Sequence, residues 1–461
     1  MPCPEVPLSY RQFPTACLAV MVLFFAIAAS AAAPGNNTLI SFNGSDGMVP
    51  LAGLISDKAG NLYGTTSVGG NGTCSDFGGA SGCGTVFELT PPATNGGAWT
   101  ETVLYNFQGG ADGIAPAGSL VFDQSGNLYG TTEVGGTTIN RYCINGCGTI
   151  FQLQPPTVQG GAWTETVLHS FTMADGATPV ANLLIDAKGN LYGTTLYGGN
   201  GPCPYGAIRL GCGTVFELQP PASQGGPWTE HVLHSFTGGG VDNQGTDGGN
   251  PAAGLIMDSQ GALYSTTGFG GGPTNEGTVF RLTHFASGAW GEAVLYSFTG
   301  GSDGGSPSSS LVFGKNGALY GTTSAAGASI GGTVFQLTPP AAQGGSWTES
   351  VIYSFTLGSD GGVPYAGVIS DAAGNLYGTT AVGGNFSCNA GFNDGCGVVY
   401  KLAPPATQGS AWTETVLHSF SGGLDGIEPA SRLLFGRSGF LYGTTENGGS
   451  SNYGTVFRVL P

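Results

Sequence analysis

Seven aspartates, each opening the motif Asp-Gly-x-x-Pro, are the residues of this 461-residue chain whose type and spacing first suggest chemistry. They are Asp46, Asp112, Asp175, Asp247, Asp303, Asp360 and Asp425. Aspartates beside glycine in turns accept hydrogen bonds from local backbone N–H groups, so a turn-capping role is expected. Carboxylate oxygens are also the ligands that Ca²⁺ prefers. The seven are therefore candidate ligand- or ion-binding residues as well, and Ca²⁺ is the candidate ion.

An eighth candidate, Asp242, lies in an unusually long connection, GGGVDNQGTDGGNP, that precedes the fourth motif. This connection brings Asp242 and Asn243 near Asp247 in the sequence, a cluster of oxygen ligands without EF-hand spacing. Two carboxylates at the right separation would also suffice for a polysaccharide hydrolase or lyase. For that alternative, the candidate residues are Asp242, Asp76 and Asp394.

Eight of the ten cysteines occur two at a time, each pair inside one loop. The pairs are Cys74 with Cys83, Cys143 with Cys147, Cys203 with Cys212, and Cys388 with Cys396. Pairs of this kind favour disulfides in an oxidising compartment. Zinc is the alternative, but these loops contain no histidine, and two thiolates do not complete a tetrahedral site.

The elements that must position these residues are repeated. The pattern LYGTT, once LYSTT, begins at Leu62, Leu128, Leu191, Leu263, Leu319, Leu376 and Leu441. Each copy is followed by GTVF or a close variant, then in six units by a tryptophan-led run such as WTETVLYNF, and then by the aspartate motif. One unit thus carries four strand candidates: A (AGLISD), B (NLYGTT), C (GTVFELT) and D (the tryptophan-led run). Four short strands repeated seven times predict an all-β, seven-bladed β-propeller.

The two ends of the repeat region complement each other. The seventh unit stops after strand C, whereas TLISF at 38–42 resembles the end of a strand D. The ring is therefore expected to close three-plus-one, with no free sheet edge at the seam. Residues 1–31, with an apolar run and an A-x-A site, are interpreted as a signal peptide. Residues 32–461 are interpreted as one propeller domain of seven repeats of about 63 residues each.

Charge excludes some partners and sorts the acids by face. The net charge of −17 opposes nucleic acid and anionic lipid. Because strands alternate in direction, D-to-A and B-to-C connections emerge on one face, which we call the acidic face. It receives the seven motif aspartates and further acids, against Arg141 and Arg209. The further acids are Asp76, Glu133, Asp242, Glu276, Asp394, Glu428 and Glu446. The seven aspartates are expected to ring the channel mouth on that face.

One position of strand D alternates between histidine and tyrosine. The residues are Tyr105, His169, His234, Tyr296, Tyr353 and His418. Interchange of this kind within a repeat indicates packing rather than catalysis. The six glutamates of the same strands recur with the repeat and are expected to be structural. No P-loop, dinucleotide fingerprint or H-E-x-x-H motif is present in the sequence.

The elements GNLYGTT, GTVF, PP, WTE and DGxxP, recurring in fixed order over about 38–461, resemble the choice-of-anchor tandem-repeat GloVer-containing proteins. The resemblance implies an exported bacterial repeat protein of no established activity. Members usually carry a variable C-terminal surface anchor, and no such anchor is recognisable in this sequence.

The expected function is that of a secreted, periplasmic or cell-surface binding protein. It is expected to be non-enzymatic, to be a monomer, and to have no membrane span after signal removal. Its acidic face would bind a polar ligand: an extracellular glycan, a protein or Ca²⁺. The two alternatives are the polysaccharide hydrolase or lyase and a structural component of the envelope or matrix.

Overall fold

Seven four-stranded antiparallel sheets form the blades of a β-propeller, as the sequence predicts. The computed structural model describes residues 37–461. Its gaps are 75–80, 95–96, 159, 206–207, 224, 239–245, 343, 389–394, 408 and 438. Each sheet has the order A-B-C-D, and each blade buries apolar side chains against the next, including blade 7 against blade 1.

The strands recur at equivalent positions in the seven blades. Strands A are Ile55–Ser56, Val121–Phe122, Leu184–Ile185, Ile256–Met257, Val312–Phe313, Ile369–Ser370 and Leu434–Phe435. Strands B are Leu62–Thr66, Leu128–Thr132, Leu191–Thr195, Leu263–Thr267, Leu319–Thr323, Leu376–Thr380 and Leu441–Thr445. Strands C are Thr85–Thr90, Thr149–Gln154, Thr214–Gln219, Thr278–His284, Thr333–Thr338, Val398–Ala403 and Thr455–Val459. Strands D of blades 1–6 are Thr100–Asn106, Thr164–Ser170, Thr229–Ser235, Trp290–Ser297, Thr348–Ser354 and Thr413–Ser419, and that of blade 7 is Asn37–Ser41.

A few elements lie outside this pattern. The strands Pro204–Tyr205 and Ile208–Arg209 pair with each other in the B-to-C loop of blade 3. Short 3₁₀ helices span Gly110–Asp112, Lys315–Gly317 and Gly423–Asp425. Strand A has only two paired residues in each blade and is therefore shorter than expected. The residues before it turn towards the ring axis instead of pairing with strand B.

Strand B is buried along its whole length in six blades, and in blade 5 all but Tyr320 is buried. Blades lie on both of its faces, which explains its small and apolar sequence. Gly64 shows the constraint: a Cβ there would lie 2.5 Å from the Phe87 ring on the adjacent strand C. The last threonine is also fully buried, and Thr66 Oγ1 lies 2.8 Å from Thr85 Oγ1 on strand C. Paired hydroxyls of this kind satisfy each other away from water.

A phenylalanine directly after each strand D joins one blade to the next. These residues are Phe42, Phe107, Phe171, Phe236, Phe298, Phe355 and Phe420, and each is at most 1% exposed. Each ring meets an aromatic ring on strand C of the next blade edge to face, for example Phe107 and Phe151 at 5.1 Å. Aromatic pairs favour this arrangement.

The ring closes as the sequence predicts. The N-terminal strand Asn37–Ser41 pairs antiparallel with Thr455–Val459, the strand C of blade 7. Phe42 then donates its backbone N–H to the Gly454 carbonyl at 3.1 Å and stacks on Phe87 of blade 1. The closing strand therefore covers an edge that would otherwise expose unpaired backbone groups.

Candidate functional site

Each motif aspartate caps a turn at the end of strand D. Its carboxylate accepts the backbone N–H of the residue after the phenylalanine that directly follows each strand D, at 2.8 Å from Thr172 to Asp175 and 2.8 Å from Ser421 to Asp425. The glycine after the aspartate has positive φ, as at Gly113 (112°). The turn-capping prediction is therefore confirmed by the hydrogen bonds.

The residue before each motif proline adopts a left-handed backbone conformation, which sequence reasoning did not anticipate. The φ angles run from 50° to 60° and include Val49 and Val363, although branched side chains disfavour this region. The N–H of this residue donates to a B-to-C loop of the preceding blade, as from Ala115 to Cys83 at 3.0 Å. The strained turn is thus held by the loop beside it.

Four B-to-C loops carry disulfides, and their pairing is the one predicted. Cys74–Cys83, Cys143–Cys147, Cys203–Cys212 and Cys388–Cys396 have Cα separations of 5.2, 5.0, 5.1 and 5.4 Å. The second cysteine of each pair precedes the glycine of the GTVF-type element and offers its carbonyl to the strained turn. The disulfides therefore fix the acceptor that holds that turn.

The histidine–tyrosine interchange on strand D has a chemical reason. Tyr105 donates its hydroxyl to Asp112 at 2.7 Å, and His169 Nε2 lies 3.1 Å from Asp175 Oδ2. Both ring types also pack edge to face on the following phenylalanine, His169 on Phe171 at 4.8 Å. The packing prediction therefore holds, and each ring also supplies a polar atom to the carboxylate.

Charge on these aspartates is stabilised by their partners. Burial alone would raise the pKa of Asp175, but the hydrogen bonds from His169 and Thr172 outweigh it, and the pKa lies below its ordinary value. The pKa of Asp247 is lowered in the same way, since the bonds from His234 and Thr237 outweigh burial. Both carboxylates are therefore ionised near neutral pH.

The strand D glutamates complete the site, and sequence reasoning missed this role. They are Glu101, Glu165, Glu230, Glu292, Glu349 and Glu414, each on the blade after the aspartate that it approaches. Each has a buried Oε1 without a hydrogen-bond partner among the described residues. We call each glutamate and its neighbouring aspartate a junction pair. Burial, and then the charge of Asp112, raises the pKa of Glu165 to about 7.

Two junctions are the best defined geometrically. Between blades 1 and 2, Asp112, Glu165 and His169 line an open cavity of about 650 Å³. Between blades 2 and 3, ligand atoms of His169, Asp175 and Glu230 lie within 4.8 Å of one another. These donor atoms lie close enough together to reach one metal ion.

The prediction that the seven motif aspartates ring the channel mouth is wrong. Residues from all seven blades line the central channel, and none of the seven motif aspartates is among them in the described part of the chain. The aspartates instead contact strand D, the outermost strand of each sheet. They form an outer ring rather than a ring at the channel mouth. Each carboxylate is hydrogen-bonded within the turn that directly follows strand D, before the chain reaches the ring axis.

The acidic face itself is observed. In each blade the D-to-A connection pairs with the B-to-C loop through an isolated bridge, for example Ile114 with Val134. The two kinds of connection therefore lie side by side, as strand direction requires.

The candidates Asp76, Asp242 and Asp394 lie outside the described residues. In the described part of the chain, no helix is long and apolar enough to cross a membrane.

Solved structures match this chain at low sequence identity. A 6-phosphogluconolactonase-like protein of Bacteroides uniformis matches with 15% identity and a TM-score of 0.49, over 88% of this chain and 91% of that one. PorZ, a surface component of the type-IX secretion system of Porphyromonas gingivalis, matches with 13% identity and a TM-score of 0.45, over 91% and 47%. A Trichoderma reesei protein of carbohydrate-active enzyme family AA12 matches with 12% identity and a TM-score of 0.39, over 93% and 98%. Scores this low carry no argument about function.

No curated protein matches the sequence. The model of the Gloeobacter/Verrucomicrobia repeat matches residues 35–243 and 205–457, which together span nearly all of the repeat region. This agrees with the resemblance read from the repeated motifs. The chain belongs to the Gloeobacter/Verrucomicrobia repeat family.

Proposed function

We propose that this protein is an exported, non-enzymatic binding protein whose acidic face takes a cationic ligand at the junction pairs, with Ca²⁺ as the simplest one. One observation carries the proposal. At six blade junctions a glutamate with an unpartnered, buried Oε1 stands beside an aspartate. A buried polar atom without a partner is costly, and a bound cation would satisfy it.

The chemistry of the donors supports a hard cation. A junction pair offers carboxylate oxygens, and Thr137 stands beside the cavity at Asp112 and Glu165. Calcium takes six to eight oxygen ligands, several of them from water, so an open site at the outer rim is suitable. At the junction of blades 2 and 3, His169 adds a nitrogen, which would favour a transition metal there.

Export is supported by the disulfides. Four disulfides in surface loops are typical of proteins that fold in an oxidising compartment. Extracellular and periplasmic fluids also supply Ca²⁺ at concentrations that suit weak sites, with Kd values of about 10⁻⁴ to 10⁻³ M. A binding role on the acidic face therefore fits the compartment.

Calorimetric titration with Ca²⁺ tests the proposal. We expect heat of binding with a Kd of about 0.1–1 mM, and a melting temperature that falls on addition of chelator. Glu165→Gln should weaken Ca²⁺ binding between blades 1 and 2, because it replaces a charged carboxylate ligand with a neutral amide. The turn capped by Asp112 should stay intact.

Glu217→Gln is the matched control, since Glu217 lies on strand C and accepts from Tyr192 at 2.8 Å, away from the junction pairs. This variant should bind Ca²⁺ like the wild type. Absence of both heat and a thermal shift in the wild-type protein would refute the cation site.

A further inference from the structure

A central channel runs between the innermost segments of all seven blades, with a volume of about 580 Å³. The residue three positions after each motif proline lines it. We call these seven residues the channel layer. They are Gly53, Ser119, Asn182, Gly254, Ser310, Gly367 and Arg432. The repeat thus places one residue per blade around the axis, and five of the seven are glycine or serine.

Hydrogen bonds between blades fix the backbone of this layer. At six junctions the fourth residue of LYGTT donates its hydroxyl to the carbonyl just before the channel-layer residue of the next blade. Thr379 bonds the Ser431 carbonyl in this way at 3.2 Å, directly before Arg432. The layer is therefore a rigid support for its side chains.

A glycine follows each of the two longest residues of the layer. Gly53 follows Arg432 in the ring, and a Cβ at Gly53 would lie 2.9 Å from the Arg432 carbonyl oxygen. Gly254 follows Asn182, and a Cβ there would lie 2.1 Å from Asn182 Oδ1. Gly254 therefore makes room for the Asn182 side chain, and Gly53 makes room for the backbone at Arg432.

Arg432 is the one charged residue that lines the channel in the described part of the chain. Its Nε is buried without a hydrogen-bond partner among the described residues, and burial lowers the pKa of the guanidinium. The chain has 11 lysines and arginines in total. No carboxylate lines the channel among the described residues. A buried cation without an anion beside it is costly, and a bound anion would pair with it.

We propose that the channel binds a small carboxylate that also bears hydroxyl groups, a sugar acid, with Arg432 pairing with its carboxylate. A guanidinium matches a carboxylate with two parallel hydrogen bonds. Ser119 lines the same layer and offers its hydroxyl to a polyol. The Ser310 hydroxyl donates to Asn182 Oδ1 at 3.3 Å, which leaves the Asn182 amide N–H groups to donate to the ligand. Tyr365 of the neighbouring blade lines the channel and is 52% exposed, which leaves its ring for packing against a sugar.

The channel volume falls within the usual range for small-molecule sites, about 300–1,000 Å³. This inference goes beyond the proposed cation site. It concerns the axis of the ring rather than its outer rim, and it needs no ion at the junction pairs. The two proposals therefore fail independently.

Titration with glucuronate, glucose and acetate tests the inference, in about 0.15 M salt so that the negative field of the chain is screened. Glucuronate should bind the wild-type protein, acetate should bind at least about tenfold more weakly, and glucose should give no heat. Arg432→Ser should weaken glucuronate binding at least about tenfold. Serine occupies this position in blades 2 and 5, so the fold should tolerate it.

Arg437→Ser is the matched control, because it removes the same charge from an exposed turn of the same blade. Its affinity for glucuronate should equal that of the wild type. Arg432→Lys keeps the charge but loses the bidentate geometry, so it should bind glucuronate severalfold more weakly than the wild type. This second variant keeps the test valid if Arg432→Ser does not fold.

Absence of glucuronate binding, or equal binding by wild type and Arg432→Ser, would overturn the site. Equal affinities for acetate and glucuronate, or for glucose and glucuronate, would overturn its assignment to sugar acids.

Discussion

Replacement of Phe42 by alanine is expected to destabilise the protein by about 3–5 kcal/mol. Phe42 is fully buried, stacks on Phe87 at 5.2 Å, and follows the strand that closes the ring. The substitution removes the ring contacts and leaves a cavity at the seam, where blade 7 meets blade 1. Denaturant unfolding of the wild type and the variant measures the effect.

Phe171→Ala is the matched control within a continuous part of the ring. Phe171 meets Phe216 edge to face at the same 5.2 Å and is equally buried, but its junction joins two blades that are consecutive in the sequence. If the seam is as well formed as the other junctions, the two variants should lose similar stability. The contrary result would be a decrease in the free energy of unfolding of less than about 1 kcal/mol for Phe42→Ala, with about 3–5 kcal/mol for Phe171→Ala. It would show that the seam frays and would contradict the ring closure.

Glu101→Gln is expected to stabilise the protein in alkaline solution. Burial, and then the charge of Asp46, raises the pKa of Glu101 to about 8. Because the folded-state pKa lies above the ordinary value of 4.5, the folded state holds the proton more tightly than the unfolded state. The contribution of the Glu101 carboxyl to the free energy of unfolding is fully present below pH 4.5. It is lost as the pH rises through about 8.

The glutamine variant has no charge to bury, so it should avoid this loss. One pKa unit corresponds to about 1.4 kcal/mol, and screening at a partly exposed site reduces it, so we expect a gain of roughly 2 kcal/mol near pH 8.5. Near pH 5 the carboxyl is already protonated in the fold, and the same substitution should change stability by less than about 0.5 kcal/mol. Unfolding in chelator at both pH values, which removes any contribution from bound cations, gives the comparison. A similar gain at both would contradict the raised pKa.

The other five junction glutamates have raised pKa values of about 7, with burial again the largest cause. The wild-type protein should therefore become less stable between about pH 5 and pH 8, with the junctions contributing in the same direction. This trend follows from carboxyl groups placed between blades rather than in solvent.

Much of the fold was predictable because each repeat carries its own local signals. The run LYGTT forms strand B within the predicted limits in every unit, since small and branched residues fit a strand buried on both faces. Strand A was predicted too long. Its first residues, such as Gly53, form the channel layer instead, and nothing in their apolar character distinguishes a channel wall from a sheet.

The candidate site was predicted in part. The aspartates are placed by their own turns, so their capping role follows from the spacing of aspartate, glycine and proline. Their glutamate partners lie on other blades: Glu165 meets Asp112 from a strand about fifty residues away, and no sequence signal connects the two. For the partners on strand D before each aspartate, the interchange of tyrosine and histidine was the signal available, because both rings place a polar atom at the same position.

The number of blades, the order of their strands, the closing strand and the four disulfides were predictable from the repeats, because each follows from a local pattern or from its repetition. The positions of the charged side chains depend on how the blades pack. The tertiary structure placed the aspartates at the outer rim rather than at the axis, set a glutamate beside six of them, and brought Arg432 to the channel wall. These arrangements depend on the packing of one blade against the next, and distances between blades are a property of the closed ring that no single repeat encodes.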